Sequence, residues 1–89
     1  MSSQQHVIVI GAGIIGASIA WHLARRGAAV TVVAEAAGGV ATPASFAWIN
    51  ASWGNPEFYF RFRRFSMTEW HRLAGELPGL PLRWCGGVY

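Results

Sequence analysis

The chain has 89 residues, of which 53% are hydrophobic and only 12% charged. That composition excludes a disordered, highly charged chain and allows at most one small domain. The formal net charge of +3 comes from seven arginines against four glutamates, too slight an excess without a recognition motif to argue for nucleic acid.

A chain so short and so apolar should leave apolar surface uncovered, which marks an interface, self-association or a missing partner segment. Four of the seven arginines (Arg61, Arg63, Arg64 and Arg72) cluster together and read as a solvated helix face. The single Cys85 excludes an internal disulfide and reads as a small buried hydrophobe. His6, His22 and His71 have no metal-ligand spacing with Cys85 or with one another, so no metal site is expected. The apolar stretch Val7–Trp21 is too short to span a bilayer, is broken by three glycines and lacks a basic lead-in. A cytoplasmic location is expected.

After a polar lead-in over residues 1–6, Val7-Ile8-Val9-Ile10 is a continuous β-branched run. Such a run predicts a strand buried on both faces, as in a parallel sheet. Ile14 to Arg26 predicts a helix, with Ile15, Ile19 and Leu23 on one stripe and Gly16, Ala20 and Ala24 on a small-residue stripe beside it. Gly27 stands where a left-handed terminator belongs. Ala29 to Ala34 predicts a second strand, closed by Glu35. Strand, helix and strand together have the size of one βαβ unit, whose strands are parallel.

Residues 36–55 lack periodicity and read as a loop, with a short helical turn or strand near Phe46 to Ala51. A loop of that length tends to be functional. A long helix follows, with Asn55 as cap and Pro56 in its first position, ending at Leu77 before Pro78-Gly79. Phe58, Phe62, Phe65, Leu73 and Leu77 form its apolar face, and Glu57–Arg61 and Arg72–Glu76 are four-residue ion pairs. Trp48, Trp53 and Trp70 read as packing residues. Leu82 to Cys85 predicts a terminal strand, with a second short stretch from Val88-Tyr89.

The chemistry lies in Gly11-Ala12-Gly13-Ile14-Ile15-Gly16. A G-x-G-x-x-G run alone is weak, but this one follows a strand, opens a helix, and has an acidic residue at the end of the next strand. Glu35 lies 19 residues beyond Gly16, close to the ~20 of dinucleotide sites. Gly11 permits the tight turn, Gly13 lets backbone N–H groups approach a pyrophosphate, and Gly16 lets the helix lie against the strands. The N–H groups of Ile14 and Ile15 stand at the positive end of the helix. Glu35 can accept hydrogen bonds from ribose hydroxyls, and its charge disfavours a 2′-phosphate. The fingerprint does not separate FAD from NAD.

The run from Val7 to Gly27 resembles the amino terminus of FAD-dependent amine and amino-acid oxidoreductases, the D-amino-acid oxidase, glycine oxidase and sarcosine oxidase superfamily. Glu35 matches its ribose-binding acid, and Gly38 to Ser45 is similar to its flavin-side loop. The resemblance implies a Rossmann-like α/β unit holding FAD through Gly11, Gly13, Ile14, Ile15, Gly16, Glu35, Thr42 and Ser45. It implies hydride transfer from a small amine or amino-acid substrate to flavin, and a peripheral membrane location for a full-length dehydrogenase. Thr42 and Ser45 equally suit ordinary loop hydrogen bonding. Two features depart from the family: the loop has fewer serines, and no basic residue directly follows Glu35.

Residues 1–55 are therefore expected to form the FAD-binding βαβ unit and its loop, and residues 56–89 a helix and strand leading into a substrate domain beyond position 89. Family members run to several hundred residues, so this portion is expected to be catalytically incompetent by itself. The alternatives are an NAD-binding Rossmann dehydrogenase and a non-catalytic, self-associating remnant.

Overall fold

The computed structural model describes residues 4–86 and divides into two units, residues 1–47 and 48–89. The first contains β1 (His6–Ile10), α1 (Ile14–Arg25) and β2 (Ala29–Val33). The strands pair in parallel, from His6 opposite Ala29 to Ile10 opposite Val33. The Gly11 N–H continues the ladder to the Val33 carbonyl at 2.8 Å. Gly27, with φ +92°, ends α1 in the left-handed region that its sequence position predicts.

α1 covers one face of the two-stranded sheet. Val9 faces it and is buried at 8% exposure, whereas Ile10, pointing the other way, is 85% exposed. The expectation of strands buried on both faces is thus corrected: strands alternate sides, and α1 supplies a single layer. Gly16 of the small stripe meets the end of β1, while Ile15 is 74% exposed and Ile19 is half-exposed.

The second unit contains α2 (Glu57–Glu76). Pro56 occupies the cap position and its carbonyl accepts from the N–H groups of Tyr59 and Phe60, each at 3.0 Å. Asn55 does not cap the helix as expected; its side-chain amide donates to the carbonyls of Ser52 and Trp53. α2 stops at Leu77, whose backbone (φ −123°, ψ 80°) has left the helical region that a following proline disfavours. Leu73 is buried at 9%, but Phe58, Phe62 and Phe65 are all exposed. The aromatic stripe is present and uncovered.

Glu57–Arg61 and Arg72–Glu76 pair as expected, and Arg72 also binds Glu69. These contacts, the Glu69 hydrogen bond first, raise the Arg72 pKa above its ordinary value.

Two further expectations change. The helical turn in the long loop falls at residues 41–45, not near Phe46 to Ala51: Ala44 N–H reaches the Ala41 carbonyl, and Ser45 N–H the Thr42 carbonyl. Leu82 to Cys85 form no strand, because local turns take the nearby amides (Leu80 to Leu77, Leu82 to Leu80) and no strand among the described residues pairs with them. Without that cover Cys85 is exposed rather than buried. The stretch from Val88 lies outside the described residues. Among the described residues no helix is long and apolar enough to cross a membrane.

Candidate dinucleotide site

The parallel register places the carboxyl ends of β1 and β2 side by side, so Gly11 leaves the sheet at the same end as the chain approaching Glu35. Gly11 takes φ +111°, a turn that side chains disfavour. Gly13 then caps α1 in an extended conformation and contributes no side-chain cap. Its carbonyl accepts the Ala17 N–H at 2.9 Å. The first-turn amides, Ile14, Ile15 and Gly16 among them, lack intrahelical acceptors by helix geometry. No acidic residue stands in that first turn to repel an anion. Backbone donors, the helix dipole and absent side chains thus combine in one short segment.

Gly16 has a clear steric reason. A Cβ there would lie 2.2 Å from the Gly11 carbonyl oxygen and 3.5 Å from Val9 Cγ1. Only glycine lets α1 start this close to the end of β1. Ile14 and Ile15 are both exposed at the mouth of the turn, and Glu35 is exposed two residues after β2.

The loop after β2 returns to the same place. Gly38 takes φ +93°, and the next residue brings its backbone against the α1 amino end. A Cβ on Gly39 would lie 3.2 Å from Gly13 Cα, and a Cβ on Gly13 would lie 3.7 Å from Gly39 Cα. Gly39 lies within the Gly38–Ser45 stretch, but no signal in the sequence gives it a role of its own. The spacing of glycines in the fingerprint predicts close approach along the chain, and nothing in it signals one 26 positions later.

Thr42 and Ser45 lie farther along that loop, both exposed. The Ser45 hydroxyl donates to the Thr42 carbonyl at 3.0 Å and accepts from the Ala47 N–H at 3.1 Å, so it serves the local turn. Among the described residues no three His, Cys, Asp or Glu side chains are grouped to hold a metal ion.

In the second unit Arg63 departs from the solvated face expected for the arginine cluster. Its guanidinium donates to the Asn50 carbonyl (2.9 Å), Asn50 Oδ1 (2.8 Å) and the Ser52 carbonyl (3.1 Å), and lies over the Tyr59 ring. Residues 48–55 thereby belong with α2, which is why the units divide after Ala47. Trp53, expected to pack, is 73% exposed at φ +75°. Asn55 binds its carbonyl through both backbone and side-chain amides.

The sequence has recognisable relatives. Residues 6–89 match the FAD dependent oxidoreductase family, DAO. Glycine oxidase from Bacillus licheniformis is 40% identical over 83 residues, covering 90% of this chain and 22% of that protein. An uncharacterized oxidoreductase from Bacillus subtilis, YurR, is 55% identical over 38 residues, covering 43% of this chain and 10% of its own length. The chain thus spans about a fifth of the glycine oxidase it resembles. No solved structure gives a significant match. With a parallel βαβ unit, a glycine turn at the helix amino end and a family match over nearly its whole length, the chain belongs to the FAD-dependent oxidoreductase family.

Proposed function

We propose that this chain grips the adenosine diphosphate half of FAD within an oxidoreductase acting on a small amine or amino acid. The observation that carries the reading is the Gly11–Gly16 turn, where a Cβ on Gly16 would collide with the Gly11 carbonyl and the helix presents amides without a side-chain cap. The family match and the glycine oxidase relative support FAD as the dinucleotide.

Each residue has a defined task. The Gly11 turn carries the chain out of the sheet without a side chain in the pyrophosphate's path. Backbone N–H groups of Ile14, Ile15 and Gly16 donate to its oxygens. The Glu35 carboxylate accepts hydrogen bonds from the adenosine ribose, and Thr42 and Ser45 lie on the loop leading toward the flavin half. When bound, the flavin ring supplies the hydride acceptor, and the protein binds and orients.

Isothermal titration with FAD and with NAD tests the assignment. FAD should bind and Glu35→Ala should weaken it. Micromolar NAD binding with no affinity for FAD would replace this reading with a nicotinamide-dependent one.

A second reading, self-association, is favoured by the exposure of Ile10, Ile15 and Phe58. Sedimentation velocity should show concentration-dependent oligomers; a monomer at high concentration overturns it.

A further inference from the structure

We infer that Gly39 is a positioning residue for the cofactor site, acting as a glycine outside the fingerprint that seats the post-β2 loop on the α1 amino end. The inference rests on the FAD reading above and extends it to a residue that the G-x-G-x-x-G pattern does not contain. Three observations carry it. Gly38 adopts φ +93°, a turn that aims the chain back toward α1. The Cβ position of Gly39 falls 3.2 Å from Gly13 Cα and 3.9 Å from the Ile14 nitrogen. The Cβ position of Gly13 in turn falls 3.7 Å from Gly39 Cα. The two glycine backbones thus pack directly on one another, and Gly39 is the side on which a Cβ would be crowded.

The contact is backbone against backbone, so no flexible side chain can swing away to relieve a substitution. A methyl group on Gly39 must push the loop or the α1 amino end by a few tenths of an ångström. A branched side chain must push farther. The atom met first is Gly13 Cα, which adjoins the Ile14 amide, one of the donors assigned to the pyrophosphate. Gly39 thus fixes the distance between two backbone segments: the helix amino end, and the loop that carries Thr42 and Ser45. Segments that flank one bound cofactor must keep a fixed spacing, and a seam between two glycines sets that spacing without adding a side chain.

The test compares Gly39→Ala and Gly39→Val with the unaltered chain, and uses Gly54→Ala as control, because a Cβ on Gly54 meets nothing within 4 Å. Far-UV circular dichroism first establishes that each variant keeps its secondary structure. FAD affinity is then read by quenching of flavin fluorescence, and amide hydrogen exchange at Gly13, Ile14 and Ile15 is read without cofactor. Gly39→Val should bind FAD about tenfold more weakly and exchange faster at those amides, Gly39→Ala should fall between, and Gly54→Ala should match the parent. Unchanged affinity and exchange in Gly39→Val overturn the inference. If the parent chain binds no FAD, the cofactor reading fails, and the exchange measurement alone decides whether the glycine seam exists. If Gly39→Val loses its secondary structure, the exchange and affinity of Gly39→Ala decide in the same way.

Discussion

The two units of the chain are held by opposite means. In residues 1–47, a backbone ladder and the absence of side chains bring segments together: Gly16 under Gly11, Gly39 against Gly13. In residues 48–89, one long side chain performs that task, as Arg63 ties Asn50 and Ser52 to α2. The first arrangement leaves donors and open space, which suits an anionic ligand. The second turns its guanidinium onto acceptors of its own unit.

The contrast breaks most violently at Gly16. Gly16→Ala places a methyl group 2.2 Å from a backbone oxygen that cannot rotate away. We expect a loss of about 3 kcal/mol, at the upper end for overpacking, measured by chemical denaturation. In a unit with so small a core that loss should abolish the β1–α1–β2 signal in circular dichroism.

Next comes the single buried side chain of the sheet. Val9→Ala should destabilise by about 2 kcal/mol, while Ile10→Ala on the uncovered face should change stability by less than about 0.5 kcal/mol. Equal effects would mean that the outer face is covered in solution.

Arg63→Ala should cost about 1–2 kcal/mol, from charge-assisted bonds weakened by partial exposure. Amide exchange at Ala51 to Asn55 should speed up while that of β1 and β2 stays unchanged. Arg63→Lys should recover only part, because an ammonium lacks the planar fork that reaches two carbonyls.

The smallest effect belongs to the exposed Glu57–Arg61 pair. Arg61→Ala should change stability by about 0.3 kcal/mol and lose even that at high salt.

The same contrast governs what could be read in advance. Glycines announce themselves, since few roles suit them, and three at fixed spacing between a strand and a helix point to a dinucleotide turn without choosing the dinucleotide. The βαβ unit, its parallel pairing and the helix ends at Gly27 and Leu77 followed from such signals. Arg63 could not be distinguished from Arg61 or Arg64, because spacing along a helix does not show which guanidinium meets a loop eleven residues earlier. Asn55 looked like a cap by residue type, yet bonding to Ser52 and Trp53 satisfied its amide better. Leu82 to Cys85 had strand composition, but a strand exists only through its ladder. Burial failed for a similar reason: Ile10 and Phe58 have core composition, and exposure depends on a neighbouring layer that composition cannot supply.

The central claim is that the glycine turn of the first unit holds FAD. Amide chemical-shift mapping of the ¹⁵N-labelled chain during titration with FAD tests it directly. The account predicts shifts at Gly11, Gly13, Ile14, Ile15, Gly16 and Glu35, with α2 unmoved. Absence of shifts at saturating FAD, or shifts confined to Glu57–Glu76, would contradict it.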